Sequence, residues 1–204
     1  MLHAEVLESS TLGILKSILA NDTFSTFNLV GGTALALQFG HRLSIDLDFF
    51  TIDVFDKELI KAELTDIGSW ITNSENKIGL RGQLNAIKID FVTYRYPLLA
   101  PPIVLEGIRM ASQADISAMK LAAITNRGAK KDFYDIFFLL RHHSFAQLCE
   151  WYKEKYQTNN LFMMLKSMTY FDDAELTEDP VLLLDKTSWQ IVKETLLLEV
   201  ANYS

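Results

Sequence analysis

Two aspartates separated by a single residue, Asp46 and Asp48, are the first candidates for chemistry in this 204-residue chain. They lie in GHRLSIDLDFF, residues 40–50, where polar and apolar residues alternate. Alternation of this kind predicts a strand, which would direct Ser44, Asp46 and Asp48 to one face. Like charges on neighbouring sites repel each other, so a cation is expected beside them. The intervening apolar residues would pack on the other face: Leu43, Ile45, Leu47 and Phe49.

A third carboxylate, Asp90, lies in AIKIDFVTY, residues 86–94, which also predicts a strand. If the two strands are neighbours, Asp90 can converge with Asp46 and Asp48. Mg²⁺ is usually held by one or two carboxylates together with substrate phosphates. Two such ions about 3.5–4 Å apart would clamp an in-line phosphoryl displacement. We therefore predict that the three aspartates bind Mg²⁺ or Mn²⁺, and that Asp90 also helps to deprotonate an acceptor hydroxyl.

Two glycines, Gly31 and Gly32, lie between a predicted strand at residues 27–30 and a predicted helix at residues 33–39. A helix start offers unpaired N–H donors to a phosphate, and glycine has no Cβ to block its approach. Thr33 can cap the helix or bond a phosphate oxygen. Two adjacent glycines alone usually mark a turn, and a lone D-x-D is more often an exposed edge or a salt-bridged pair. The order strand, GG, helix, S-x-D-x-D, helix and strand with a third aspartate is far more specific.

A second group of charges follows in KLAAITNRGAKKDFYDIFFL. Lys120 and Arg127 are seven residues apart, so one helical face can hold both beside an anionic triphosphate. Asp132 can orient Lys120, Lys131 or a substrate hydroxyl, whereas Asp135 is expected to be a structural ion-pair partner of Arg127 or Lys131. Taken alone, these charges are more simply explained as a solvated, salt-bridged helix face.

Both segments resemble the AbiEii/AbiGii-type nucleotidyltransferases, which are toxins of type IV toxin–antitoxin and phage-abortive systems within the DNA polymerase β-like superfamily. The family pattern G-G-T-A-L followed by R-x-S-x-D-[L/I]-D is matched by Gly31, Gly32, Thr33, Arg42, Ser44, Asp46 and Asp48. Its later signature, a helix with Lys, then Arg, then K-D-x-x-D, is matched by Lys120, Arg127, Lys131, Asp132 and Asp135. The resemblance spans residues 27–140.

The resemblance implies a Mg²⁺-dependent transfer of an NMP from an NTP to an acceptor hydroxyl, such as the tRNA 3′ end, and a separate antitoxin protein. It also implies catalytic roles for Lys120 and Asp132. Arg42 would contact a phosphate or pair with Asp46. The remaining expected nucleotide contacts are Gly31, Gly32, Thr33, Ser44, Lys120, Arg127 and Lys131. Two alternatives stay open: an acceptor that is a small molecule or a protein, and a non-catalytic nucleotide-binding protein.

The predicted fold is α+β, a small mixed sheet flanked by helices in the polymerase β-like nucleotidyltransferase fold, followed by a helical C-terminal half. We predict a nucleotidyltransferase core over residues 1–105 and a helical region over 106–204, because prolines at 97, 101 and 102 mark a break. Helices are expected at residues 7–20, 55–70, 114–127, 130–143, 144–156, 159–168 and 185–203. Within residues 55–70, the side chains of Leu59, Ile60 and Leu64 should face inward.

Composition restricts the function further. A net charge of −7 and a pI near 5.1 argue against a protein that coats DNA, which would be strongly basic. The N-terminus lacks the features of a signal peptide, and no apolar run is long enough to cross a bilayer. A single cysteine, Cys149, precludes an intrachain disulfide. The simplest expectation is a cytoplasmic protein without membrane contact.

Overall fold

The computed structural model describes residues 1–203, which form two compact units. The first unit comprises Met1–Pro97 and Pro101–Ala111, and the second comprises Leu98–Ala100 together with the chain from Ser112 onward. The predicted division into domains at residue 105 stays a prediction.

The first unit is built on a seven-stranded mixed sheet. Its strands are β1 Asn28–Val30, β2 Leu47–Thr51, β3 Trp70–Asn76, β4 Gly79–Leu84, β5 Ile87–Thr93, β6 Ile103–Leu105 and β7 Ile108–Met110. They lie in the order β3-β4-β5-β2-β1-β7-β6. Strand β2 runs parallel to β5 and β1 runs parallel to β7, whereas the other neighbours are antiparallel. The α-helices of this unit are α1 Ser9–Ala20, α2 Gly31–Phe39 and α3 Lys57–Ile67.

The two faces of β2 and β5 differ because side chains alternate along each strand. One face is fully buried, with Phe49 and Phe91 stacked at a centroid distance of 5.1 Å. The other face carries Asp48, Phe50 and Asp90 and is only half-buried. The predicted mixed sheet with flanking helices is confirmed, and its half-buried face holds two of the predicted carboxylates.

The segment before β2 differs from the prediction. The strand begins at Leu47 rather than at Ser44, and Leu43 and Ile45 are 39% and 71% exposed instead of buried. This segment is held by other contacts than pairing with a neighbouring strand: the Ser44 N–H donates a hydrogen bond to the Val6 carbonyl. In α3, Leu59 is also 48% exposed instead of inward, whereas its predicted companions Ile60 and Leu64 are buried.

The second unit is helical, as predicted. Its helices are α4 Gln113–Asn126, α5 Lys130–Leu139, α6 Phe145–Tyr156, α7 Phe162–Met168, α8 Asp172–Glu175 and α9 Trp189–Tyr203. Helix α9 packs on α5 through Trp189, whose ring lies 5.7 Å from that of Phe133. No helix over residues 1–203 has the length and apolar character needed to cross a membrane. The cytoplasmic location stays a prediction.

Candidate active site

Asp48 and Asp90 form a cross-strand pair in the first unit. They are register partners on the parallel strands β2 and β5. Directly opposed residues of neighbouring strands project from the same face, so both carboxylates lie on the half-buried face of the sheet. Convergence of these two aspartates requires β2 and β5 to be neighbours, and they are.

Gly31 brings the backbone at the start of α2 against Asp48. Its φ of +69° lies in the left-handed region that favours glycine. A Cβ at this position would lie 2.9 Å from Asp48 Oδ2. The residue therefore has two independent reasons to be glycine, a strained dihedral angle and a carboxylate in direct contact. The first N–H groups of α2 have no partners within the helix, so this end can accept an anion.

Thr33 organises the segment that leads into β2. Its side chain is 2% exposed, and its Oγ1 lies 2.7 Å from Ser44 Oγ and donates to the Asp46 carbonyl. Thr33 does not cap α2, since the N-cap is Val30 and no side-chain cap bond forms. Its hydroxyl instead fixes the backbone that carries Asp46 into Asp48. Thr33 and Ser44 therefore hold the loop, and phosphate contact by either stays a prediction.

Arg81, on β4, is a site residue that the sequence did not indicate. It is the register partner of Asp90, and its Nε lies 3.2 Å from Asp90 Oδ2. The Arg81 side chain is 59% exposed, whereas that of Asp90 is 13% exposed. The other oxygen, Asp90 Oδ1, is buried and has no hydrogen-bond partner. β4 was not predicted as a strand, so no sequence signal connected Arg81 to Asp90.

Two features of the site suit a divalent cation. Asp48 and Asp90 supply hard oxygen ligands on one face, and the buried Asp90 Oδ1 lacks a partner, which a cation would provide. Within residues 1–203, however, no group of three or more His, Cys, Asp or Glu side chains is arranged to hold a metal ion. Asp46 precedes β2 instead of lying in it, and metal binding by Asp46 together with this pair stays a prediction. The pair fits a cation whose remaining ligands come from substrate phosphates.

Arg42 is more deeply buried than a phosphate ligand needs to be. Only 4% of its surface is exposed, and its Nη1 donates to the Leu43 carbonyl at 2.9 Å. This bond stiffens the loop that follows α2. A role for Arg42 in phosphate binding stays a prediction.

The second unit assembles Lys120 with two carboxylates. Lys120 Nζ lies 2.7 Å from Asp132 Oδ1 and 2.5 Å from Asp135 Oδ2, and all three residues are buried. Asp132 thus orients Lys120, which was one of the predicted possibilities. Asp135 is an ion-pair partner of Lys120. Its predicted pairing with Arg127 or Lys131 stays a prediction. Because two carboxylates already neutralise this ammonium, the geometry gives no support to direct triphosphate binding by Lys120.

Arg127 and Lys131 are the exposed cations of this group. Arg127 follows the end of α4, its side chain is 66% exposed, and its Nε lies 3.5 Å from Asp132 Oδ2. Lys131 is exposed in the first turn of α5. Both retain surface from which an anion can be contacted, unlike Lys120.

Comparison with known proteins decides the family. A family model described as "Nucleotidyl transferase AbiEii toxin, Type IV TA system" matches residues 13–197. The chain belongs to the AbiEii nucleotidyltransferase toxin family. It is 36% identical over 199 residues to the protein aq_aa25 of Aquifex aeolicus (strain VF5), and the match covers 93% of each chain.

Solved structures agree with a nucleotidyltransferase fold. A putative nucleotidyltransferase from H. pylori has a TM-score of 0.59 and 19% identity, covering 96% of this chain and 95% of its own. MenT4, a nucleotidyltransferase toxin of Mycobacterium tuberculosis H37Rv, has a TM-score of 0.50 and 15% identity, covering 96% and 86% respectively. These likenesses show the fold.

Membership of the AbiEii family makes this chain a nucleotidyltransferase, an enzyme that uses an NTP as substrate. The family also supports a toxin role and, as a type IV toxin–antitoxin system, implies an antitoxin partner.

Proposed function

We propose that this AbiEii protein transfers an NMP from an NTP to a hydroxyl of RNA, with the tRNA 3′ end as acceptor, in a reaction that requires Mg²⁺ or Mn²⁺. The observation that carries the proposal is the register pairing of Asp48 with Asp90 beside Gly31. The carboxylate pair supplies oxygen ligands for a metal ion, and the neighbouring helix start supplies N–H donors for the triphosphate.

Each residue of the first unit has a proposed task. Gly31 and Gly32 let the triphosphate approach the N–H groups at the start of α2, which stabilise its negative charge. Asp48 and Asp90, with Asp46, would hold the divalent ions. When bound, these ions neutralise the phosphates and orient them for in-line attack. Thr33 and Ser44 keep the backbone around Asp46 in place.

Asp90 has a second task at the acceptor. As a carboxylate beside the proposed metal-bound phosphates, Asp90 would also receive the proton of the attacking hydroxyl. The hydroxyl oxygen then forms a bond to the α-phosphorus, the bond from this phosphorus to the β-bridging oxygen breaks, and pyrophosphate leaves. Catalysis is then mainly positioning and charge stabilisation.

The proposed roles of the second unit follow from the family signature together with exposure. Arg127 and Lys131 are exposed and would neutralise the triphosphate. Lys120 would hold the Asp132 carboxylate in position, because its Nζ lies 2.7 Å from Asp132 Oδ1. It would not touch the phosphates itself.

A second acceptor class is favoured by one observation. The net charge of −7 opposes the approach of a polyanionic RNA and is better suited to a small molecule or a protein acceptor. The non-catalytic nucleotide-binding role that the sequence left open is set aside, because the AbiEii family is a family of enzymes and Asp46, Asp48 and Asp90 are intact.

Transfer of a labelled nucleotide distinguishes these acceptors. The protein is incubated with each α-labelled NTP and Mg²⁺, in parallel with tRNA, total RNA, cellular protein and a metabolite extract. We expect label at the 3′ end of tRNA for one or two of the NTPs, and no label when EDTA is present. Label in protein or metabolites alone would replace RNA as the acceptor, and label in no fraction would contradict the proposal.

A further inference from the structure

An aromatic cluster lies on the same half-buried sheet face as the carboxylate pair. Its members are Phe50 on β2, Tyr94 directly after β5, and Tyr96. The ring centroids of Phe50 and Tyr94 are 4.9 Å apart, as are those of Tyr94 and Tyr96. Tyr96 is 43% exposed, and the other two rings are half-buried.

The position of this cluster follows from strand periodicity. Phe50 lies two residues beyond Asp48, so both side chains project from the same face and their Cα atoms are separated by roughly 6.6–6.8 Å. The core of the sheet is built separately on the opposite face, where Phe49 stacks on Phe91. The cluster is therefore an additional aromatic surface, continuous with the carboxylate pair along the strand.

An unpartnered polar side chain borders the cluster. Asn28 on β1 is the register partner of Phe50, so its side chain lies on the same face. Asn28 is 9% exposed, and its Oδ1 is buried without a hydrogen-bond partner. Leaving a buried acceptor unpaired costs about 1–3 kcal/mol, so a donor on a bound group would stabilise Asn28.

We infer that Phe50, Tyr94 and Tyr96 form a stacking platform for a nucleobase, with the Asn28 carboxamide available to an exocyclic amino group of that base. Stacking on aromatic side chains is the common way in which proteins hold unpaired bases. The inference rests on the proposed function, in which the carboxylate pair binds the metal-bound phosphates. The platform begins two residues further along β2, at Phe50, where the base of the same or the acceptor nucleotide would lie. The base belongs either to the incoming NTP or to the acceptor end.

Base-dependent binding tests the platform independently of transfer. Equilibrium affinities are measured for the four NTPs and for ribose 5-triphosphate, which has no base, and for a short single-stranded RNA and its abasic counterpart. Stacking predicts that the wild-type protein prefers the base-containing member of one pair by roughly 5- to 150-fold. Tyr96→Leu and Phe50→Leu should reduce that preference at least several-fold, and Tyr94→Phe should retain it because the ring remains.

Tyr152→Leu is the matched control. Tyr152 and Tyr156 form a similar ring pair on α6, with centroids 4.8 Å apart, in the other unit. This variant should bind every probe as the wild type does. Thermal unfolding of each variant establishes that it is folded, and Tyr96→Leu is the variant expected to be least disruptive because its ring is the most exposed.

Each outcome has a defined meaning. Loss of the preference for NTP over ribose triphosphate assigns the platform to the incoming nucleotide, and loss of the preference for intact over abasic RNA assigns it to the acceptor. Unchanged preferences in folded Tyr96→Leu and Phe50→Leu overturn the inference. Because these measurements are of binding, they can fail while labelled transfer succeeds, and the reverse is equally detectable.

Discussion

Asp48 and Asp90 lie directly opposite each other on two parallel neighbouring strands, with Gly31 against the first and Arg81 against the second. The chain separates these aspartates by forty-one intervening positions, and only the pairing of β2 with β5 brings them together. The proposed chemistry depends on this pairing, and each neighbour of the pair can be changed separately.

Gly31→Ala should damage the site through both its dihedral angle and its Cβ. An alanine in the left-handed region costs about 1–2 kcal/mol of folding free energy. The added Cβ would also lie 2.9 Å from Asp48 Oδ2 and displace that carboxylate. We expect a loss of transfer activity larger than the loss of stability explains, measured as the initial rate beside urea unfolding.

Gly107→Ala separates the two effects. Gly107 has a similar φ of +79°, but a Cβ there meets nothing within 4 Å. This variant should lose a similar stability and keep its transfer rate. Equal loss of activity in the two variants would mean that contact with Asp48 is unimportant.

Arg81→Gln should change the Mg²⁺ concentration that activity requires more than it changes the free energy of unfolding. An exposed ion pair contributes only about 0–1 kcal/mol, so the free energy of unfolding should scarcely change. Removing a cation that competes for Asp90 should lower the Mg²⁺ concentration for half-maximal activity by about 2–5-fold. Arg95→Gln, which removes another exposed arginine of the same unit, is the control. A higher Mg²⁺ requirement in Arg81→Gln would contradict competition.

Lys120→Met should be strongly destabilising. It leaves Asp132 and Asp135 buried without the ammonium that they share, and breaking a buried ion pair costs about 3–5 kcal/mol. Lys155→Met should cost less. Its partner Asp115 keeps donors from the Leu99 N–H and the Ser112 hydroxyl. Urea unfolding of both variants measures the difference, and a larger loss in Lys155→Met would count against this interpretation.

Because of Cys149, the free energy of unfolding should fall as the pH rises in the alkaline range. Burial raises the pKa of its thiol to about 11, above the value of an unfolded cysteine. The folded state therefore binds more protons between pH 9 and 11, and stability should fall as the pH rises through this window. Cys149→Ala should flatten the slope in urea unfolding at pH 8, 9 and 10. A slope that is unchanged in the variant would show that other groups cause it.

How much the sequence predicts depends on whether a pattern is local. Alternation in residues 86–94 and helical spacing in the second half predict β5 and most helices, because one periodicity holds throughout each segment. The same alternation fails at Ser44 and Asp46, since a hydrogen bond from Thr33 replaces the strand ladder there. Arg81 could not be found, because its role comes only from its register on β4. Lys120 was expected at a phosphate, and burial with two carboxylates is a tertiary effect that spacing does not reveal.

The central claim is that Asp48 and Asp90 act together in nucleotide transfer. The most direct measurement is the initial rate of label transfer from the preferred NTP for Asp48→Asn and Asp90→Asn. Asp66→Asn is the matched control, an exposed aspartate on α3. We expect both site variants to fall by roughly 10²–10⁴-fold and Asp66→Asn to stay within about twofold of the wild type. A folded Asp48→Asn or Asp90→Asn protein that transfers nucleotide at the wild-type rate would contradict the account.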